Sequence, residues 1–297
     1  MTTILLTGST GQVGWELART LMPIGRLVTP ERSQFDLARP ELLGALVDSI
    51  RPDVIVNCAA YTNVDKAEQE ADLAMAINAA APAELARAAQ RNGALLVHYS
   101  TDYVFDGKKA GAYSEEDVPH PASVYARSKL AGEEAVRASG ADHLIFRTSW
   151  VFAARGKNFL KTILRLAAER EELRVVADQF GAPTWARLVA EVTASVLRQD
   201  LARRENGEFE GGAFNLTAAG ETSWHGFASA IITAARGRGV QLKCRTVAPI
   251  ATAEYPLPAT RPANSRLSGV KLARRYRLEM PGWDRGMHLC LAELFPS

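Results

Sequence analysis

Through the first half of the chain, short apolar runs alternate with stretches whose apolar residues recur every three or four positions. Thr3–Thr7, Arg26–Thr29, Asp53–Asn57, Ala94–Tyr99 and His143–Thr148 read as buried strands. Between them Val13–Leu21, Pro40–Ile50, Ala67–Asn78, Ala83–Arg91 and Val124–Ala138 carry the helical period. Such alternation predicts βαβ units, right-handed crossovers and a parallel sheet. Ligands of these sheets sit beyond the C-terminal ends of the strands. That rule selects Thr7–Gly14, the segment after Thr29, Asn57–Thr62, Ser100–Asp106 and Thr148–Phe152, which are rich in polar and glycine residues.

The second half is less regular. Phe159–Glu172, Arg187–Arg198 and Trp224–Arg236 read as helices, and Ala213–Leu216 as a short strand after a Gly211-Gly212 turn. Thr246–Ser268 contains Pro249, Pro256, Pro258 and Pro262, so it is expected to be extended or looped. Arg203–Gly212 reads as a surface loop, and no repeat or low-complexity tract is seen.

Composition narrows the class. The 297 residues are 47% apolar and 23% charged, ordinary for a globular chain with material for a sizeable core. The net charge of +2 is spread along the chain and offers no footprint for nucleic acid. No apolar run reaches the roughly 20 residues of a membrane span, and the start enters a strand without a basic stretch and apolar signal core. Cys58, Cys244 and Cys290 are odd in number and far apart, so they read as reduced thiols of a cytoplasmic protein. His98, His120, His143, His225 and His288 have no ligand-like spacing, and no catalytic metal is expected.

Two motifs carry chemistry. After the first strand comes Gly8-Ser-Thr-Gly11-Gln-Val-Gly14, with a helix pattern following. Glycines so spaced permit a tight turn, close approach of backbone to a pyrophosphate, and packing of helix on sheet. The N–H groups at the helix start then face the phosphates. The second motif is Tyr125-Ala-Arg-Ser-Lys129, which projects a phenol and an ammonium from one helix face. A cation near a phenol lowers its pKa from about 10. With a bound oxidised nicotinamide, the pair is expected to bring Tyr125 toward neutrality as an acid/base for hydride chemistry. Thr101, just past the fourth strand, is placed to bond a substrate carbonyl and the Tyr125 phenol; the alternative is a turn or cap hydroxyl. Asp102 is placed to hold a sugar hydroxyl, or else to form the turn.

Together, Thr7–Gly14, Asn57-Cys-Ala-Ala-Tyr-Thr-Asn-Val-Asp65, Ser100-Thr-Asp-Tyr-Val-Phe-Asp-Gly107 and Tyr125–Lys129 resemble the extended short-chain dehydrogenase/reductase family. Phe146-Arg-Thr-Ser-Trp150-Val-Phe, Asp178-Gln-Phe-Gly-Ala-Pro-Thr184 and Arg261-Pro-Ala-Asn-Ser-Arg266 are similar to its branch that reduces a dTDP-linked 4-keto sugar. The resemblance covers nearly the whole chain. It implies an α/β fold: a Rossmann-type doubly wound parallel sheet over residues 1–150, with later segments returning to it, and a smaller C-terminal α/β substrate-binding domain mainly within 151–297. It implies hydride transfer from NADPH (or NADH) to C4 of dTDP-4-dehydro-6-deoxy-L-mannose, giving dTDP-L-rhamnose, the last step of its biosynthesis. Tyr125 would donate the proton to O4, Lys129 would bind the nicotinamide ribose and tune Tyr125, and Thr101 would complete the triad. Thr101, Asp102 and Trp150 would contact the sugar nucleotide. Gly8, Gly11, Gln12, Val13 and Gly14 would hold the pyrophosphate, Asp36 and Leu37 would flank the adenine, and Ala60, Tyr61 and Thr62 would line the cofactor. Asn78 matches a family asparagine near the cofactor. Lys157, Asn158, Arg261 and Arg266 are candidates for the substrate pyrophosphate.

At the end of the second strand, Arg32 and Ser33 suit a 2′-phosphate, whereas Glu31 would favour a free 2′-hydroxyl, so the reading leans to NADPH with some use of NADH. Some similar proteins dimerise through magnesium held by three glutamates. Here Glu16 and Glu293 are present but Arg187 stands at the middle position and offers no ligand oxygen. No magnesium bridge is therefore expected, Glu16 and Glu293 are expected to be solvated, and the chain is expected to be a monomer or homodimer. Two alternatives stay open: another nucleotide-sugar reductase or epimerase, and a non-catalytic nucleotide-binding regulatory subunit.

Overall fold

The computed structural model describes residues 1–296. Five apolar strands, β1 (Thr3–Thr7), β2 (Arg26–Val28), β3 (Val54–Asn57), β4 (Leu95–Thr101) and β5 (His143–Thr148), form a parallel sheet in the order β2-β1-β3-β4-β5. Strand Gly212–Asn215 adds to β5 as the far edge, also parallel. The chain moves from β1 outward to β2, then back past β1 to β3, so the crossovers reverse direction at β1. A reversal of this kind opens a crevice at the strand ends.

Helices cover both faces. On one lie α1 (Gln12–Thr20) and helix Ala186–Glu205, sharing a core with Leu6, Val56, Val97 and Phe146. On the other lie α2 (Pro40–Ile50), then, past the short helices α3 (Val64–Ala67) and α4 (Ala71–Met75), the longer α5 (Ala81–Asn92) and α6 (Val124–Ala138). Burying each Leu, Ile or Val of these strands contributes about 1.5–3 kcal/mol. A second lobe packs helices Phe159–Glu169, Trp224–Gly237 and Trp283–Leu294 around the parallel pair Glu172–Val176 and Thr246–Ile250.

Several expectations need correction. Ala67–Asn78 is not one helix: α3 and α4 are separate, and Ala76–Ala80 forms a π-turn that leads into α5. The cause is Pro82, which has no N–H to give the carbonyl of Asn78 four residues earlier, so the helix widens. Helix Phe159–Glu169 stops short of Glu172, because Arg170 turns extended and opens a strand. Helix Ala186–Glu205 runs beyond Arg198, so Arg203 is helical and not in a loop. Asp200 accounts for this extension: buried, it accepts from Tyr276 Oη at 2.7 Å and Arg203 Nη1 at 2.7 Å. Helices Val270–Tyr276 and Trp283–Leu294 carry no signal strong enough to have been expected.

Glu16 is not a solvated residue: it is buried and accepts from Arg187 Nε at 3.0 Å. Glu293 is exposed, as expected, and pairs with the same guanidinium. Arg187 thus joins α1, helix Ala186–Glu205 and the C-terminal helix.

Candidate active site

A cleft of about 1070 Å³ opens at the C-terminal ends of β1, β3, β4 and β5. Its lining brings together Gly8, Gly11, Gln12, Val13, Gly14, Arg32, Asp36, Leu37, Ala60, Tyr61, Thr62, Thr101, Asp102, Tyr125, Lys129 and Trp150. These come from segments spread over nearly 150 positions, and the sheet alone collects them.

The glycine turn is built for backbone contact. Gly8 has φ of +68°, and a Cβ there would meet Ala59 N at 2.7 Å. A Cβ on Gly14 would lie 2.1 Å from Gly8 O. Gly11 N–H donates to Gly8 O at 2.9 Å, and Gly11 caps α1 with no side-chain acceptor. The first N–H groups of α1 are thus left for a ligand, in a space side chains would fill. This cradle fits a dinucleotide. Asn158 Nδ2 donates to Gln12 Oε1 at 2.8 Å, fastening the second lobe to the turn. Asn158 also caps helix Phe159–Glu169, accepting from Lys161 N at 3.1 Å.

Past β2, Arg32 lines the cleft with its side chain 79% exposed, and its Nε lies 3.6 Å from Asp36 Oδ1. Glu31 lines the same wall. Past β3, Asn78 fixes the Ala60–Thr62 loop. It accepts from Tyr61 N at 2.9 Å, donates to Tyr61 O at 3.0 Å, and donates to Ser128 Oγ at 3.0 Å. The π-turn presents Asn78, buried, to both the loop and α6.

Helix α6 begins at the Ser123 cap, whose hydroxyl accepts from Ala126 N at 3.2 Å. Tyr125 and Lys129 then fall one turn apart. Burial pushes the Tyr125 phenol up to about 12, opposed by the neighbouring Thr101 hydroxyl. The expected lowering toward neutrality is not seen in the protein alone. Desolvation dominates and the Asp102 charge adds to it, so the phenol keeps its proton. Lys129 is buried, and desolvation brings its ammonium down to about 8, with Glu133 and Cys58 pulling the other way. Its Nζ donates to Tyr99 O at 2.5 Å and lies 3.3 Å from His98 Nε2.

Thr101 ends β4, where it takes the cap role foreseen as the alternative. Its hydroxyl caps the turn Asp102–Val104 by accepting from Tyr103 N at 3.2 Å, and it stands beside Tyr125. Thr101 Oγ1 donates to Asp102 Oδ1 at 2.9 Å, while Asp102 Oδ2 is buried without a partner. Burial pushes the Asp102 carboxyl up to about 7, against hydrogen bonds from Ser265 and Thr101. Trp150 adopts φ of +48°, a conformation bulky residues avoid. Its indole stacks on Trp224 with centroids 3.5 Å apart and 9° between planes.

Of the basic candidates, Lys157 lines the cleft, but Arg261 and Arg266 do not. Arg261 is bidentate on Asp65 at 2.8 and 2.7 Å, and Arg266 pairs with Glu221 at 2.9 Å. Sequence reasoning missed Tyr103, whose ring meets Tyr125 edge-on at 5.9 Å, as well as Trp224 and His98. Tyr103 lies within the motif already singled out and was the one of these within reach.

Comparison with known proteins agrees along the full length. A family model described as the RmlD substrate binding domain matches residues 1–295. The dTDP-4-dehydrorhamnose reductase of Burkholderia thailandensis is 52% identical over 293 residues, covering 98% of each chain. That of Salmonella typhimurium is 46% identical over 298 residues, covering 99% of this chain and 98% of the other. The crystal structure of dTDP-4-dehydrorhamnose reductase from Bacillus anthracis in complex with NADP superposes with a TM-score of 0.88 at 36% identity, covering 98% of this chain and 99% of that one. With a doubly wound sheet, the glycine cradle and the Thr-Tyr-Lys group all in place, the chain belongs to the RmlD family, that of the dTDP-4-dehydrorhamnose reductases.

Proposed function

We propose that this chain reduces the C4 ketone of dTDP-4-dehydro-6-deoxy-L-mannose with NADPH, giving dTDP-L-rhamnose. The observation that carries the reading is the convergence of the glycine cradle, Lys129 and a protonated Tyr125 in one cleft, in a chain matched end to end by reductases of that substrate. The cradle Gly8–Gly14 would hold the pyrophosphate, Arg32 the 2′-phosphate, Asp36 and Leu37 the adenine, and the Ala60–Thr62 loop the inner part of the cofactor. When bound, NADPH supplies the hydride that C4 accepts.

Reduction leaves an alkoxide at O4, and a group must deliver a proton there. Tyr125 suits this task because burial keeps its phenol protonated at neutral pH. Once the cationic nicotinamide is in place beside Lys129, loss of that proton is eased. Thr101 orients the phenol and the carbonyl, Asp102 and Trp150 hold the sugar, and Lys129 binds the nicotinamide ribose.

The test supplies substrate generated by the upstream enzymes, follows NADPH oxidation and identifies the product. Wild-type protein is expected to consume NADPH and form dTDP-L-rhamnose. Tyr125→Phe is expected to lose roughly 10²–10⁴-fold in turnover while binding NADPH almost normally. Isomerisation of a nucleotide sugar without net NADPH consumption would identify an epimerase, and no turnover of any nucleotide sugar would favour the regulatory subunit.

A further inference from the structure

His98 is the one fully buried histidine of the five, and the reduction mechanism leaves it without a task. It belongs to a polar row crossing the heart of the sheet. Thr7 of β1 pairs in register with Asn57 of β3, and Asn57 with His98 of β4. The side chains touch in the same order: Thr7 Oγ1 lies 2.7 Å from the Asn57 amide oxygen, and the Asn57 amide nitrogen lies 3.2 Å from His98 Nδ1. His98 Nε2 then lies 3.3 Å from Lys129 Nζ, reaching in from α6. At the opposite end Thr7 Oγ1 accepts from Ala59 N at 3.3 Å, beside the glycine turn. All four residues of the row are buried.

Donors and acceptors in such a row must alternate, because an unmatched buried polar group is costly. A charged Lys129 can only donate, so His98 Nε2 must accept. A neutral imidazole then carries its hydrogen on Nδ1, which requires a carbonyl oxygen from Asn57. The oxygen and nitrogen of that amide exchange places by a half-turn of the side chain. Asn57 then donates to Thr7 Oγ1, whose own hydrogen turns toward the cleft that Thr7 lines. With Lys129 neutral, every bond reverses: Nε2–H donates to the amine, Asn57 N–H donates to Nδ1, and Thr7 donates to Asn57. The row therefore has two self-consistent polarities, chosen by one proton on Lys129.

We propose that His98 is a positioning residue for Lys129. It stays neutral, and as the Nδ1–H tautomer it accepts from the ammonium, so that the row holds Lys129 charged and in place for the ribose and for Tyr125. Burial and the cation both keep the imidazole from protonating. The other groups facing Lys129 are Tyr99 O from β4, Cys58 just past β3 and Glu133 from its own helix. None of these duplicates the acceptor at Nε2. The inference rests on the role proposed above for Lys129.

The test is ¹⁵N NMR on the full chain labelled at histidine. At neutral pH His98 is expected to show a protonated Nδ1 and a bare Nε2, with no imidazolium signal while the fold persists. An Nε2–H tautomer or an imidazolium at neutral pH would overturn the proposal. A second arm compares pH profiles of kcat/KM. His98→Leu removes the acceptor and favours loss of the Lys129 proton, so its basic limb should move to lower pH, with activity above neutrality falling on the order of tenfold. His98→Gln, whose amide oxygen replaces Nε2, should recover most of the loss. A Leu variant with the wild-type basic limb, or a Gln variant no better than Leu, would overturn it. If the Leu variant does not fold, the NMR result decides alone. If the wild type fails to reduce the sugar nucleotide, the reductase reading falls while the NMR arm still tests the row.

Discussion

Asp102 shows how burial sets chemistry at a single side chain. Its carboxyl is raised from 3.8 to about 7, chiefly by desolvation, and Oδ2 has no partner. Between those values the folded chain holds a proton that the unfolded chain has released. Stability from this group is therefore present at acid pH and is lost as pH rises through that window. Asp102→Asn, uncharged throughout, is expected to raise Tm by several degrees above neutral pH and to change it little near pH 4. An equal change in melts at both pH values would contradict the assignment. At this scale the sequence was informative where a motif spaces its residues locally, as in Gly8–Gly14 and Tyr125–Lys129. It was silent on His98 and Trp224, whose partners lie 31 and 74 positions away and meet only through tertiary packing.

Among the elements, α6 carries Tyr125 and Lys129, so its placement sets the site. It lies so close to the π-turn that a Cβ on Gly132 would stand 2.1 Å from Asn78 O. That carbonyl cannot yield, since Asn78 also ties the Ala60–Thr62 loop to Ser128. Gly132→Ala is expected to cost about 1–3 kcal/mol from overpacking. It should also lower kcat more than the stability loss explains, because the helix moves with its two site residues. Thermal melts alongside kinetics at a temperature where the variant is folded check this. Unchanged kcat would show that α6 can shift without consequence. The strands and α6 were legible because apolar period and length agree. The π-turn at Ala76–Ala80 was harder to read, because an Ala-rich stretch favours helix throughout and Pro82 acts on a carbonyl four residues back.

Across the whole molecule, the two lobes are fastened on one side by Asn158 to Gln12 and on another by Arg187 between Glu16 and Glu293. Glu16 is buried and Arg187 about one-third exposed, so removing the guanidinium leaves a poorly solvated carboxylate. Arg187→Ala is expected to cost about 1–3 kcal/mol, less than a fully buried pair because water reaches the arginine. Melts should show a drop of a few degrees, while a metal chelator leaves wild-type Tm unchanged. A chelator effect as large as the substitution would contradict the view that the arginine holds this joint. The parallel sheet and the ligand end of the strands could be anticipated from βαβ alternation. The return of Gly212–Asn215 to the sheet edge depends on long-range pairing that no local period encodes.

The central claim is that this cleft passes a hydride from NADPH to C4 while Tyr125 protonates O4. The most direct measurement uses NADPH deuterated at the transferable position, with the substrate generated in place, and locates the label by NMR of the isolated product. One deuterium at C4 of dTDP-L-rhamnose, formed one for one with oxidised cofactor and nearly abolished in Tyr125→Phe, is the predicted result. Product without deuterium at C4, or near-wild-type product from Tyr125→Phe, would contradict it.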